Sequence, residues 1–277
     1  MDKTILKVLG LHRAEFEKAK LNEFRAWGCQ AITAFAALVS VFTTIEAVTY
    51  IGTIVALIAA VFEKIFSRQS RSQKSVAERA RRLLLLVEGL GYRPSEKEIA
   101  DIMVSFSASE TEGKKWEDEN YYWSTAEYGL GRLNDLLQES SFFSKYLFKK
   151  SAQLSGMLFG VVFLVSLLAL LILPILPSSS WSILIAKVVS IILMFLISVD
   201  LIGRALDYAE AASSAQRIDD RLESLQASGI NEQDLILILG DYNALVERAS
   251  LVPTFIYNRN VKQLNSLWRR RIHSGED

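Results

Sequence analysis

Four aromatic side chains fall within eight residues, Tyr121, Tyr122, Trp123 and Tyr128, with Ser124 and Arg132 beside them. Flat rings stack on planar ligands, and a guanidinium forks onto phosphate oxygens. The segment therefore carries the residue types of a site for a flat anion, and Arg248 and Tyr257 would supply the same chemistry from the C-terminal part of the chain. The same aromatics also suit helix packing, or the membrane interface where Tyr and Trp concentrate. The basic stretch Arg79–Arg82 has two readings as well: a phosphate holder, or an anchor that meets anionic lipid or pairs with acids such as Glu78. Catalytic chemistry is thinly represented. No Ser/His/Asp set, paired carboxylates or metal cluster stands out, and Gly129 and Gly131 lack the flanking residues of a phosphate loop. A non-enzymatic protein without a metal cofactor is expected.

Composition narrows the class. The 277 residues are 51% hydrophobic and 22% charged, and Lys+Arg and Asp+Glu both count 31, so no bulk charge favours a nucleic acid polymer. One cysteine, Cys29, excludes an internal disulfide. With only His12 and His273 besides, a Cys/His zinc site within one chain is excluded too.

The apolar residues are concentrated. Residues 26–45 form a run of 20 without a charge, and 47–62 follow after Glu46 alone. A span needs roughly 20 mostly apolar residues. The second run extends to Ile65 and Phe66 past Glu63 and Lys64, which can snorkel. Residues 151–186 lack any charge and divide at PILPSSSW (174–181), giving spans near 153–175 and 181–202. The expectation is an all-α integral membrane protein with four transmembrane helices in two hairpins, 26–66 and 151–203. A helix within 1–25, a helical block over 67–150 and C-terminal helices over 204–277 flank them.

Orientation follows from the flanks. Six Lys/Arg lie in 1–25 and seven in 63–82; Lys145, Lys149 and Lys150 precede span three, and Arg204 follows span four. Neither hairpin turn carries one, so both termini and both hydrophilic blocks are expected in the cytoplasm. Gly52, Ala56 and Ala60 recur at every fourth residue of span two, Gly156 and Gly160 form GxxxG in span three, and span one carries Gln30, Thr33 and Ser40. Small residues allow close helix contact in lipid. These positions are candidates for lining a pore or packing an oligomer, or equally for packing within one protomer. In span four, Lys187 can snorkel outward and Asp200 is spaced to pair with Arg204.

In the hydrophilic blocks, 75–91 reads as a helix continuing span two and ending at Gly89 or Gly91, and Ser95 with Glu98 reads as a capping box for a helix to about 106. Residues 107–120 read as a loop, and 131–150 as a helix leading into span three. A helix continuing span four stops at Gly229. The next is capped by Asn231 and ended by Pro253, and a final amphipathic helix starts near Tyr257.

Three stretches, 79–91, 121–147 and 241–268, resemble the S-4TM family, the SMODS-associating four-transmembrane effectors. The resemblance rests on Tyr121, Tyr122, Ser124, Gly129, Arg132, Leu133, Leu137, Gln138, Glu139, Ser140, Phe142 and Phe143, then on Tyr242, Arg248, Pro253, Ile256, Tyr257, Leu264, Asn265 and Trp268. Trp123 replaces a smaller residue of that pattern, and Gly131 a more helix-favouring one. The resemblance implies a pore-forming effector in the bacterial inner membrane, part of a CBASS-like antiphage system and linked to a nucleotide cyclase. Its regulatory ligand would be a cyclic di- or trinucleotide, and its outcome growth arrest or abortive infection. It also implies a homo-oligomer. The cyclic nucleotide would be held by Tyr121, Tyr122, Trp123, Ser124 and Arg132, with Arg248 and Tyr257 completing the site. The alternatives are a constitutive channel or transporter subunit, and a membrane-anchored scaffold without a pore.

Overall fold

The structure, a computed structural model, describes residues 2–172 and 180–273, with side chains over 2–172 and 182–272. Among the described residues it is all-helical, without strands. The order is α1 (Lys3–Phe42), α2 (Glu46–Leu90), α3 (Glu96–Ser105), α4 (Glu110–Gly113), a 3-10 turn at Lys114–Trp116, α5 (Leu130–Ile172), α6 (Ser180–Val199), α7 (Leu201–Ser228), α8 (Glu232–Arg248) and α9 (Thr254–His273). The α1, α2, α5 and α6–α7 segments are long and apolar enough to cross a membrane. The expected second hairpin turn at 174–181 and the end of span three at 173–175 lie outside the described residues, except for the backbone of residues 180 and 181.

The expected caps explain several boundaries. Gly91 (φ +67) ends α2, with its N–H on the Val87 carbonyl (3.0 Å) and that of Tyr92 on Leu86 (3.3 Å). Asn231 Oδ1 accepts from Asp234 N–H at the start of α8. Ser95 Oγ accepts from Glu98 N–H, but the Glu98 carboxylate accepts from Tyr92 OH (3.0 Å) and so does not close the expected capping box. A capping box forms instead within the expected loop: Ser109 and Glu112 satisfy each other's backbone and nucleate α4. Pro253 does not terminate α8, which stops at Arg248; it stands just before α9, where a fixed φ and a missing N–H cost nothing.

Span four and its extension are not one unbroken helix. Asp200 adopts φ +53 between α6 and α7 and caps α7 by accepting from Gly203 N–H through Oδ1 (3.1 Å). A Cβ on Gly203 would lie 2.4 Å from Asp200 Oδ2, so that cap requires glycine. The expected Asp200–Arg204 side-chain pair does not form, because Asp200 is occupied with this cap and Arg204 binds Glu23 (2.5 Å) and lies over the Trp27 ring (4.8 Å).

The chain forms two compact units, each assembled from separated segments. One, the apolar unit, contains Leu21–Ser70 and Ala152–Leu206. In the most apolar stretch of each long helix only 6% to 17% of residues are buried. Its interior contacts are close and small: Thr33 Oγ1 reaches the Ala56 carbonyl (3.5 Å), and a Cβ on Gly52 would stand 3.4 Å from Ser40 Oγ.

The other, the polar unit, contains Met1–Lys20, Arg71–Ser151 and Asp207–Asp277. The buried residues Tyr208, Ala211, Ala215, Ile218, Leu222 and Leu225 of α7 repeat at alternating steps of three and four, a heptad seam. Ile5, Val8 and Leu9 of α1 pack with Ala80, Leu83 and Leu84 of α2 and Ile102 of α3. α2 and α5 approach closely at Gly89, where a Cβ would meet Leu133 at 2.8 to 3.0 Å. Glu15, buried, accepts from Ser107 N–H, Ser107 Oγ and Ala108 N–H (2.8 to 2.9 Å), fixing the end of α3 against α1.

Candidate functional site

The aromatic segment lies in the irregular stretch 117–129 of the polar unit, between the 3-10 turn and α5. α5 supplies most of its fixings. Trp123 N–H donates to Glu139 Oε2 (3.1 Å), and Ser124 Oγ to Asp135 Oδ2 (2.7 Å). Arg132 donates from Nη1 to the Ala126 carbonyl (2.8 Å), from Nε to the Glu88 carbonyl (2.5 Å) and from Nη2 to Glu88 Oε2 (3.3 Å), and its guanidinium faces the Tyr128 ring (5.2 Å). Gly129, at φ +152, donates its N–H to the Gly89 carbonyl (2.9 Å). Arg132 is thus committed to holding the strap on α2 and α5.

The rings are arranged as a ladder with cations. Arg13 of α1 lies over both Trp116 (5.0 Å) and Tyr121 (5.4 Å), and Tyr121 meets Tyr122 edge-on (4.7 Å). Arg269 of α9 covers the Trp123 ring at 4.4 Å. Behind them, Arg81 contacts Glu78 (2.8 Å), donates to Tyr242 OH (3.0 Å) and faces the Tyr242 ring (4.8 Å). Of the two readings of Arg79–Arg82, pairing with acids accounts for Arg81 on Glu78 and Arg82 on Glu247.

Burial sets the protonation. Burial pushes the Tyr122 phenol well above its ordinary value and Tyr121 up as well, so both stay neutral donors. Burial raises Glu139 to about 7, with Asp135 adding to the effect and the Trp123 N–H opposing it. Burial lowers His12 to about 3, and the nearby Arg81 charge works in the same direction. His12 is therefore a neutral ring, with Nδ1 against the Leu9 carbonyl (3.3 Å) and its plane nearly perpendicular to that of Phe16 (centroids 5.2 Å).

Of the expected ligand residues, Tyr121, Tyr122, Trp123, Ser124 and Arg132 come together, and Tyr257 lies near enough to Tyr121 to raise its pKa. Arg248 pairs with Glu210 (2.9 Å) on an exposed surface. No hydrogen bond, ion pair or ring contact joins it to the aromatic segment among the described residues. Arg13, Trp116 and Arg269 are members that sequence reasoning missed; Arg81 was read there only as part of the basic stretch Arg79–Arg82, apart from the aromatic segment. The legible signal for Arg269 was α9 itself, which carries five Lys/Arg and no acid.

In the apolar unit, Gln30 Nε2 donates to the Ser198 carbonyl (3.3 Å) while its Oε1 is buried without a hydrogen-bond partner. Thr33, Ser40, Gly52 and Ala56 share the α1–α2 approach, and Gly156 faces Ala205, where a Cβ would be 3.9 Å away. Gly160 has open space around it, and Ala60 is exposed, with Ala59 buried in its place.

A cleft of about 690 Å³ opens between Ile5, Val87, Tyr92, Arg93, Ile99 and Tyr128. Its charged lining is Asp2, Glu88 and Glu96 against Arg93. That balance disfavours phosphate. Among the described residues no group of three or more His, Cys, Asp or Glu is placed to hold a metal ion. No family model, curated protein or solved structure matches the chain.

Proposed function

We propose that the protein is an effector in the bacterial inner membrane whose apolar unit lies in the bilayer and whose polar unit, cytoplasmic with both termini, binds a cyclic oligonucleotide. Binding shifts a homo-oligomer toward a state that opens a pore or disrupts the bilayer, which arrests or kills a phage-infected cell. A nucleotide cyclase supplies the signal. The observation that carries this reading is the outward apolar surface of four long helices, including Ile54, Leu57, Val61, Val161, Leu164 and Ile197. Leaving such side chains in water costs roughly 1.5–3 kcal/mol each, and a bilayer removes that cost. Four of the long helices, α1, α2, α5 and α7, contribute residues to both units, which supplies a route by which one unit biases the other. The Lys/Arg-rich flanks support the cytoplasmic placement.

The nucleotide reading is supported by the ring-and-cation ladder from Trp116 to Arg269 and by the resemblance carried by Tyr121–Phe143 and Tyr242–Trp268. A ligand shifts the equilibrium only as far as its affinities for the two states differ. The test is dye and ion release from liposomes carrying the purified chain, with cyclic di- and trinucleotides added. Release on adding one nucleotide is expected. Release without any, suppressed by one, makes the nucleotide a brake. Nucleotide-independent release identifies a constitutive channel, and no release under any condition a scaffold.

A further inference from the structure

One face of α9 is basic, and among the described residues no acid pairs with it. At 100° per residue, Arg259, Lys262, Ser266, Arg269 and Arg270 fall within about 100° of arc, and all are exposed. The opposite face carries Leu264 and Trp268, both buried. α9 contains no acid. Among the described residues, no acid pairs with Arg259, Lys262, Arg269 or Arg270, whereas Arg271, one position on, is held by Asp219 (2.8 Å). Like charges gathered on one strip repel one another, and no acid among the described residues compensates them.

The strip ends at a ring. Trp123, 37% exposed, presents its indole beneath the Arg269 guanidinium at 4.4 Å. Its own backbone N–H is fixed on Glu139, so the ring is positioned from behind. Arg269 makes no hydrogen bond among the described residues, which leaves its fork of donors available. An exposed indole next to free guanidinium donors, continued by Lys262 about 10 Å back along the helix, matches a planar ring that bears more than one phosphate.

We propose that Trp123 and the Arg259–Arg270 strip of α9 form a nucleotide-binding surface, with a base stacked on Trp123 and phosphates held by Arg269 and Lys262. This assignment rests on the function proposed above and adds α9 to the site. It also separates the roles of two arginines: Arg269 contacts ligand, whereas Arg132 positions the strap.

The test is equilibrium binding of cyclic di-GMP, cyclic di-AMP, cyclic GMP–AMP and cyclic tri-AMP to the full chain in phosphatidylcholine nanodiscs. For whichever of these the wild type binds, Arg269→Ala weakens binding about tenfold or more. Trp123→Ala weakens it about fivefold or more, and Trp123→Phe restores most of the loss. Arg221→Gln, at an exposed α7 residue paired with Asp241 of α8, leaves it unchanged. If the wild type binds a nucleotide and Arg269→Ala and Trp123→Ala stay within twofold, this surface is overturned and the proposed function stands. If the wild type binds none of the four, both fall. If the α9 substitutions abolish binding to phosphatidylglycerol vesicles without touching nucleotide affinity, the strip is a lipid contact and the assignment is overturned.

Discussion

In the polar unit the α7 seam from Tyr208 to Leu225 is buried, and Asp219 within it is met by Lys145 (2.5 Å) and Arg271 (2.8 Å). In the apolar unit Leu57, Val61, Val161 and Leu164 point outward, and the one cross-helix ion pair among its described residues is Arg204–Glu23. The two units share α1, α2, α5 and α7, yet place their apolar atoms oppositely. Helix propensity therefore does not distinguish them. What differs is the period. Where polar residues interrupt the apolar ones every three to four positions, the helix buries a stripe. Where they do not, it exposes apolar surface all round, and close approach is left to small residues such as Gly52 and Ala56.

The largest effect is expected from breaking the buried charge cluster. Asp219→Ala leaves Lys145 without its carboxylate and Arg271 with only the longer contact to Glu223 (3.6 Å), and should cost about 3–5 kcal/mol, read as a large fall in Tm in detergent. Asp241→Ala, which removes an exposed pair, should cost under about 1 kcal/mol.

A charge of the same kind separates the units. Val161→Arg and Val104→Arg both place a guanidinium at an exposed valine. On α5 it should oppose bilayer insertion by about 2.5–3.5 kcal/mol, seen as a lower membrane-integrated fraction. On α3 in the polar unit it should change nothing in that assay. Equal behaviour would erase the distinction.

Next is pH. Burial raises Glu139 to about 7 from the ordinary carboxyl value of 4.5, so between these values the native chain holds a proton that the unfolded chain releases. Its contribution is fully present below about pH 4.5 and is lost as pH rises through 7, on the order of 3 kcal/mol. His12 acts with the opposite sign: lowered to about 3 from 6.5, it contributes above pH 6.5, and that contribution is lost as pH falls toward 3. Glu139→Gln should remove the loss between pH 4.5 and 7, leaving a stability that only rises across that window. Thermal scans of both chains at closely spaced pH values check the sign.

The smallest contrast uses glycine. Gly89→Ala pushes a methyl into Leu133 and should destabilise the polar unit by about 1–3 kcal/mol. Gly160→Ala meets nothing within 4 Å and should be neutral or stabilising by up to about 1 kcal/mol.

Much of this division was legible in order of residues. Long uncharged runs marked the four apolar helices, and Gly91, Ser95 and Asn231 marked helix ends, because these signals act within a few residues. The capping box at Ser109–Glu112 was equally local and was hidden only by the polarity of its surroundings. The site was half legible. Tyr121 to Ser124 are contiguous and could be seen together, whereas Arg13, Arg81 and Arg269 come from α1, α2 and α9 and meet the strap only after folding. Many residues behind the family resemblance turn out to be packing or fixing residues: Phe142 meets Trp268 (5.2 Å), Tyr242 holds Arg81, and Arg132 holds Glu88.

Composition and period alone determined that the chain is helical and that four of its segments are too apolar for water, because both follow from transfer free energies summed along the chain. Only the tertiary structure decided which cations are spent. Arg132, Arg204 and Arg271 read in sequence like Arg269, and each of the first three found a carboxylate on a distant segment while Arg269 found an indole. A charge's partner is set by distance in space, and side chains 44 to 181 residues apart acquire that distance only when the chain packs.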